Sequence, residues 1–171
     1  LKNSTRDKIF SKFTNKGLEV KTWAYLGLVI LASQIALGGW TSANYASLVC
    51  PDFPSCSSQF FLPKMDLQSA FSFIAFFNPG SINPEGLMTI QMLHRLGALI
   101  VAAYFTFFSL RLILRGNSFQ KSLGSLIFIL LVSQIILGIL NVKWLLPVAI
   151  AVLHNGVASL LLLTLVTLIY H

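Results

Sequence analysis

Two histidines stand out in a chain with few polar groups: His94, in Met92-Leu93-His94-Arg95, and His154, in Val152-Leu153-His154-Asn155. Each follows a leucine, precedes an alanine by four residues (Ala98 and Ala158), and lies within a long apolar run. An imidazole in such surroundings is costly unless it is hydrogen-bonded or holds a metal. Its nitrogens suit zinc, copper or an iron porphyrin, but no carboxylate or thiol lies within a helical turn of either histidine to complete a small-ion shell. Met92, two residues from His94, belongs to another helix face and is discounted as a ligand. Arg95 adds a cation beside the first imidazole, and Cys50-Pro51-Asp52-Phe53-Pro54-Ser55-Cys56 is a second compact chemical feature. The third histidine, His171, ends the chain.

The elements that carry these groups must live in hydrocarbon. Of 171 residues, 56% are apolar and 10% charged, and the mean hydropathy is +0.78, which excludes an ordinary soluble domain. Apolar runs at residues 23–40, 87–114, 123–140 and 146–170 are each close to the length needed to cross a bilayer. They are expected to be helices, because backbone groups facing lipid need partners within their own segment. Gly116-Asn117 separates the second run from the third, and Pro147 suits the first turn of the fourth. Lysines and arginines gather at residues 2–21 and around the turn between the second and third runs. That bias puts both termini on the cytoplasmic or matrix side, and the connection over residues 41–84 outside. The net charge of +7 therefore reads as membrane topology beside anionic lipid, and no nucleic-acid partner is expected. Residues 1–22 form a basic cytoplasmic segment or linker and residues 23–171 one transmembrane domain. The chain opens at Leu1 without a signal-peptide pattern, and is expected to be a piece of something longer.

A repeat lies within the spans. Ser33-Gln34-Ile35-Ala36-Leu37-Gly38 in the first matches Ser133-Gln134-Ile135-Ile136-Leu137-Gly138 in the third. The Ser-Gln pair is the informative part, since an amide in hydrocarbon needs a reason to be there. The histidines match between the second and fourth spans. The fold class is thus an all-α integral membrane four-helix bundle of two helix pairs, related by a pseudo-twofold axis along the membrane normal. Both histidines then fall roughly 10–12 Å below the outer helix ends, and the axis turns the imidazoles toward one another. The resulting slot suits a b-type haem with a histidine on each face, a pairing that passes electrons and leaves no iron site for oxygen. The competing reading is two packed histidines bonded to neighbouring carbonyls or hydroxyls. Arg95 serves either a haem propionate or loop carbonyls. Gly97, Gly156, Ala98, Ala158 and Ser159 give room for a macrocycle or for close helix packing.

On the external side, a Cys50–Cys56 disulfide is expected. Its short loop adds only about 2 kcal/mol in the chain-entropy picture. The apolar run 67–77, with Phe71, Phe73, Phe76 and Phe77, is too short to cross and reads as an interfacial helix or a set of aromatic anchors.

Gly38-Gly39-Trp40-Thr41-Ser42 leading into Cys50-Pro51-Asp52-Phe53-Pro54-Ser55-Cys56, followed by His94-Arg95 and His154-Asn155, resembles the haem A synthase family over nearly all four spans. The resemblance implies a protein of eight transmembrane helices in two homologous halves, oxidising a methyl group of haem O to the formyl group of haem A for terminal oxidases. One half of such a protein holds substrate and a glutamate one turn before its first histidine; the other holds haem b. Gln91 stands at that position here, and no acidic residue lies in any span. The chain is therefore similar to the carboxyl-terminal, cofactor-binding half. That similarity implies His94 and His154 as ligands of haem b iron and Cys50 with Cys56 as an external pair. It also implies haem O reached through the other half, and a place in the bacterial or mitochondrial inner membrane. Haem O synthase and an electron acceptor are the implied protein partners. The alternatives are a plain b-type cytochrome subunit, without substrate chemistry, and an assembly factor that holds haem for delivery.

Overall fold

The computed structural model describes residues 2–56, 64–72, 77 and 81–171, with side chains from residue 19 onward. The chain folds into α1 (Lys2–Ala43), a 3-10 turn (Ala46–Val49), α2 (Leu67–Ala70), α3 (Pro84–Arg115), α4 (Ser118–Lys143) and α5 (Val148–Tyr170), and no strand occurs among the described residues. Four stretches are long and apolar enough to cross a membrane: Glu19–Ala43, Pro84–Arg115, Ser118–Lys143 and Val148–Tyr170. The first three enclose the expected spans. The fourth begins two residues later than expected, because Pro147 is the extended residue before the helix and not part of its first turn. Backbone helix also runs back from the first span through the basic segment to Lys2.

Local chemistry sets the helix ends. The Asn83 side chain accepts the Gly86 N–H at 2.7 Å, with Pro84 at the first helical position and Glu85 in the first turn of α3, all favourable at a helix start. Asn117 and Gln120 satisfy each other's backbone N–H groups in a capping box at the start of α4. At Gly116 a β-carbon would collide with the Leu112 carbonyl oxygen, so the α3–α4 turn requires glycine. The α4–α5 turn instead places Leu145 and Leu146 at φ 55° and 60°, a left-handed backbone that leucine adopts at a cost. It is held by the Leu146 N–H donating to the Asn141 carbonyl at 2.8 Å.

The four long helices close into a ring in which α1 packs on α3 and α5, and α4 packs on α3 and α5. The tight core lies in the half of the bundle away from the histidines, built from Leu31, Phe105, Phe108, Ile127, Leu131, Leu161 and Leu165 among others. Arg111 anchors that end, 2.5 Å from Glu19 and over the Trp23 ring at 5.8 Å. Tyr104 donates to the Trp23 carbonyl at 2.5 Å.

The external connection is partly built on α3. Thr89 Oγ1 accepts the Asp66 N–H at 2.8 Å, and Trp40 donates to the Ala70 carbonyl at 3.1 Å. Of the expected interfacial helix or aromatic anchors over 67–77, the described residues include a short helix at Leu67–Ala70, which ends in a turn at Phe71. Phe73 and Phe76 lie outside the described residues.

Candidate functional site

The Ser-Gln repeat acquires its reason in three dimensions. Ser33 and Ser133 each donate to a carbonyl four residues back in their own helix, Val29 and Ile129, both at 2.9 Å. The glutamines instead cross to the histidine-bearing helix. Gln34 Nε2 lies 3.0 Å from His94 Nδ1 and donates to the His94 carbonyl at 2.9 Å. Gln134 Nε2 lies 3.1 Å from His154 Nε2. The repeated glycines complete each unit, since a β-carbon at Gly38 would come 3.1 Å from His94 Cε1, and one at Gly138 would come 3.3 Å from His154 Cε1. Each helix pair thus carries a glutamine, a glycine and a histidine in one cluster. The spacing of the repeat contained this signal, although sequence reasoning did not link the amides to the imidazoles.

The two clusters differ in which ring nitrogen is engaged. Among the described residues nothing hydrogen-bonds to His94 Nε2, whereas on His154 the unpartnered nitrogen is Nδ1, which is buried. Gln34 Oε1 and Gln134 Oε1 are also buried without partners. His94 lies within electrostatic reach of His154. At this level the bundle lacks the packing of its inner half: no residue from Ala32 to Trp40, Leu93 to Ile100, Val132 to Leu140 or Val148 to Leu160 is buried. Gly39 and Gly156 have open space where a β-carbon would stand.

Arg95 turns away from its neighbour toward the external loop. Its guanidinium donates to the carbonyls of Cys50 at 2.8 Å, Pro54 at 3.1 Å and Ser55 at 2.6 Å, and lies 5.9 Å from the Phe53 ring centroid. Of the two expected roles, the loop-carbonyl one is what the geometry displays, while Arg95 Nε remains buried and unpartnered. Cys50 and Cys56 form the expected disulfide. Both are fully buried and pack against Met92, which gives Met92 a structural place that the sequence did not suggest. Gln91, one turn before His94, is buried with its Oε1 unpartnered. His171 lies at the opposite end of the bundle, its ring centroid 3.8 Å from that of Phe119. Among the described residues no group of three or more histidine, cysteine or carboxylate side chains could hold a metal ion.

Outside the bundle, Asp66 caps α2. Its carboxylate accepts from Asn83 Nδ2 at 2.9 Å and from the Ser69 N–H at 2.9 Å. These bonds, the Asn83 one foremost, hold its pKa below the ordinary carboxylate value.

The fold and site thus define an all-α membrane four-helix bundle in which each helix pair carries one histidine contacted by a glutamine, with a disulfide loop beside the first. The family is shown by the sequence: residues 4–166 match the COX15-CtaA family model, described as cytochrome oxidase assembly protein, and the chain belongs to this family. It is 42% identical over 151 residues to a heme A synthase of Shewanella oneidensis, covering 86% of this chain and 45% of that protein. It is 27% identical over 160 residues to a heme A synthase of Flavobacterium psychrophilum, covering 92% and 45%. A heme A synthase of Neorickettsia sennetsu is 26% identical over 146 residues, covering 82% and 41%. The chain therefore spans less than half the length of these curated relatives. No solved structure matches.

Proposed function

We propose that this chain is the cofactor-binding half of a haem A synthase, in which His94 and His154 would hold the iron of a b-type haem. The observation that carries the reading is the pair of glutamine–glycine–histidine clusters at a level where no helix residue is buried. The residues fit such a group: among the described residues, each imidazole retains one ring nitrogen free of protein hydrogen bonds and no third ligand stands beside them. A porphyrin supplies four of the six iron ligands itself, so two histidines suffice.

When bound, the haem would supply one-electron transfer, carrying electrons from the site where a methyl group of haem O is oxidised to the formyl group of haem A. The chain's own contribution is to fix both imidazoles, to exclude water with apolar helices, and to brace the outer rim through Arg95 and the Cys50–Cys56 loop. Substrate haem O, haem O synthase and an electron acceptor are partners that this reading assigns to the whole protein. The bacterial or mitochondrial inner membrane is its proposed location, with both termini on the cytoplasmic or matrix side, supported by the placement of lysines and arginines. Arg95 has its buried, unpartnered Nε left to offer a propionate.

The test is an optical and electron paramagnetic resonance spectrum of the detergent-purified chain supplied with haem. A low-spin bis-histidine signature is expected, lost in His94→Ala and in His154→Ala and kept in His171→Ala. A protein that takes up no haem refutes the reading. A plain b-type carrier is the second reading, supported by the same imidazoles. Accumulation of haem A on expressing the full-length protein with a source of haem O distinguishes the synthase, and its absence favours the carrier.

A further inference from the structure

The contact between Gln34 and His94 is more than helix packing. The His94 carbonyl can only accept a hydrogen bond, so the atom of Gln34 that lies 2.9 Å away must be the amide nitrogen. That fixes the amide orientation, which alone would be ambiguous. The same nitrogen is 3.0 Å from His94 Nδ1, so one NH2 group spans ring and backbone, and Nδ1 is the acceptor. The seat is built for this amide: a β-carbon at Gly97 would collide with Gln34 Oε1, and Leu37 flanks the same point. Alanine at 97 would expel the carboxamide. Gln34 Oε1 is left buried without a partner, an arrangement that is costly in an apolar interior unless another state uses it.

We propose that Gln34 is the positioning residue of His94, holding the imidazole at Nδ1 so that Nε2 is the nitrogen presented for ligation. The inference rests on the haem-ligand reading above and deepens it. A histidine that ligates through Nε2 carries its proton on Nδ1 and needs an acceptor there. In that state the Gln34 carboxamide gives up its bond to the His94 carbonyl and turns so that Oε1, unpartnered in this structure, accepts the Nδ1 proton. The carboxamide thus has one setting for each tautomer: its nitrogen answers the ring before ligation and its oxygen answers it afterward. Gln134 is not equivalent, because it approaches His154 at Nε2 and makes no second bond to a carbonyl. The repeat places the two glutamines alike while the imidazoles are held differently.

The experiment compares Gln34→Leu, Gln34→Glu and Ser33→Ala in the purified haem-loaded chain by redox titration and electron paramagnetic resonance. Loss of the acceptor at Nδ1 makes the imidazole a poorer donor to iron, so Gln34→Leu is expected to raise the midpoint potential and alter the low-spin g values. It should also release haem roughly fivefold faster, the worth of about one neutral hydrogen bond. Gln34→Glu, a stronger acceptor, is expected to lower the potential. Ser33→Ala, which removes only a bond within α1, should match wild type. Wild-type potential and g values in both Gln34 variants overturn the proposal. A second arm needs no haem: nitrogen-15 NMR of histidine-labelled protein should show Nδ1 of His94 as a hydrogen-bonded acceptor in wild type, and lose that signature in Gln34→Leu. No change between the two overturns the positioning role even where haem binds. The expected change in a protein that takes up no haem supports the positioning of His94 and refutes the haem reading.

Discussion

Replacing Arg95 by leucine should expose the disulfide that its guanidinium now guards. Three N–H groups hold the carbonyls of Cys50, Pro54 and Ser55, and both cysteines are fully buried. A reductant must therefore wait for the loop to open, and the reduction rate follows the population of the open form. At about 1 kcal/mol net per bond, three bonds give about 3 kcal/mol. The exposed Pro54 contact competes with water, which reduces the total to about 2 kcal/mol. That corresponds to roughly 30-fold more open loop, at tenfold per 1.4 kcal/mol. The assay is the time course of dithiothreitol reduction in the detergent-solubilised chain, trapped by alkylation and read by mass spectrometry. Arg95→Leu should be reduced roughly 30-fold faster than wild type. Arg95→Lys should fall between, because a single ammonium cannot span three carbonyls in the guanidinium's fixed geometry. A rate in Arg95→Leu indistinguishable from wild type would refute the clamp and leave burial against Met92 as the only protection.

Phe105→Ala, at a fully buried position in the tight half of the core, should cost about 3–5 kcal/mol. Thermal unfolding in detergent would read this as a lowered midpoint, and at temperatures where the variant stays folded its spectrum with added haem should match wild type. The depressed pKa of Asp66 makes its contribution to the external connection pH-dependent. A carboxylate with folded pKa below the unfolded value of 3.8 stabilises the fold above that value and loses the effect as pH falls through the folded pKa. Amide exchange at Ser69 and Ala70 should therefore accelerate only below about pH 4, and Asp66→Ala should show the faster exchange already at neutral pH. The loss of the low-spin signature in His94→Ala and His154→Ala, beside its retention in His171→Ala, completes the set.

Much of the fold was legible because lipid permits few solutions. Apolar runs of bilayer length had to be helices, and Gly116-Asn117 marked a boundary that the structure confirms through a close backbone approach and a capping box. The run at 67–77 was less legible, because an apolar tract too short to cross has no single structural solution. Among its described residues, Leu67–Ala70 forms a short helix that ends in a turn at Phe71.

The sequence by itself determined that there would be two histidines in corresponding places of two helix pairs, and that Ser33-Gln34 and Ser133-Gln134 would be corresponding too. Those are matters of spacing along the chain, preserved whatever the packing. Tertiary structure alone decided that the glutamines meet the histidines, that Gln34 engages Nδ1 while Gln134 engages Nε2, and that Arg95 serves the disulfide loop. The physical reason is distance. Gln34 and His94 are 60 residues apart, and Arg95 and Cys50 are 45 apart. Which atom of a ring or a carboxamide faces its partner depends on helix rotation and side-chain torsion, and no pattern along the chain records either.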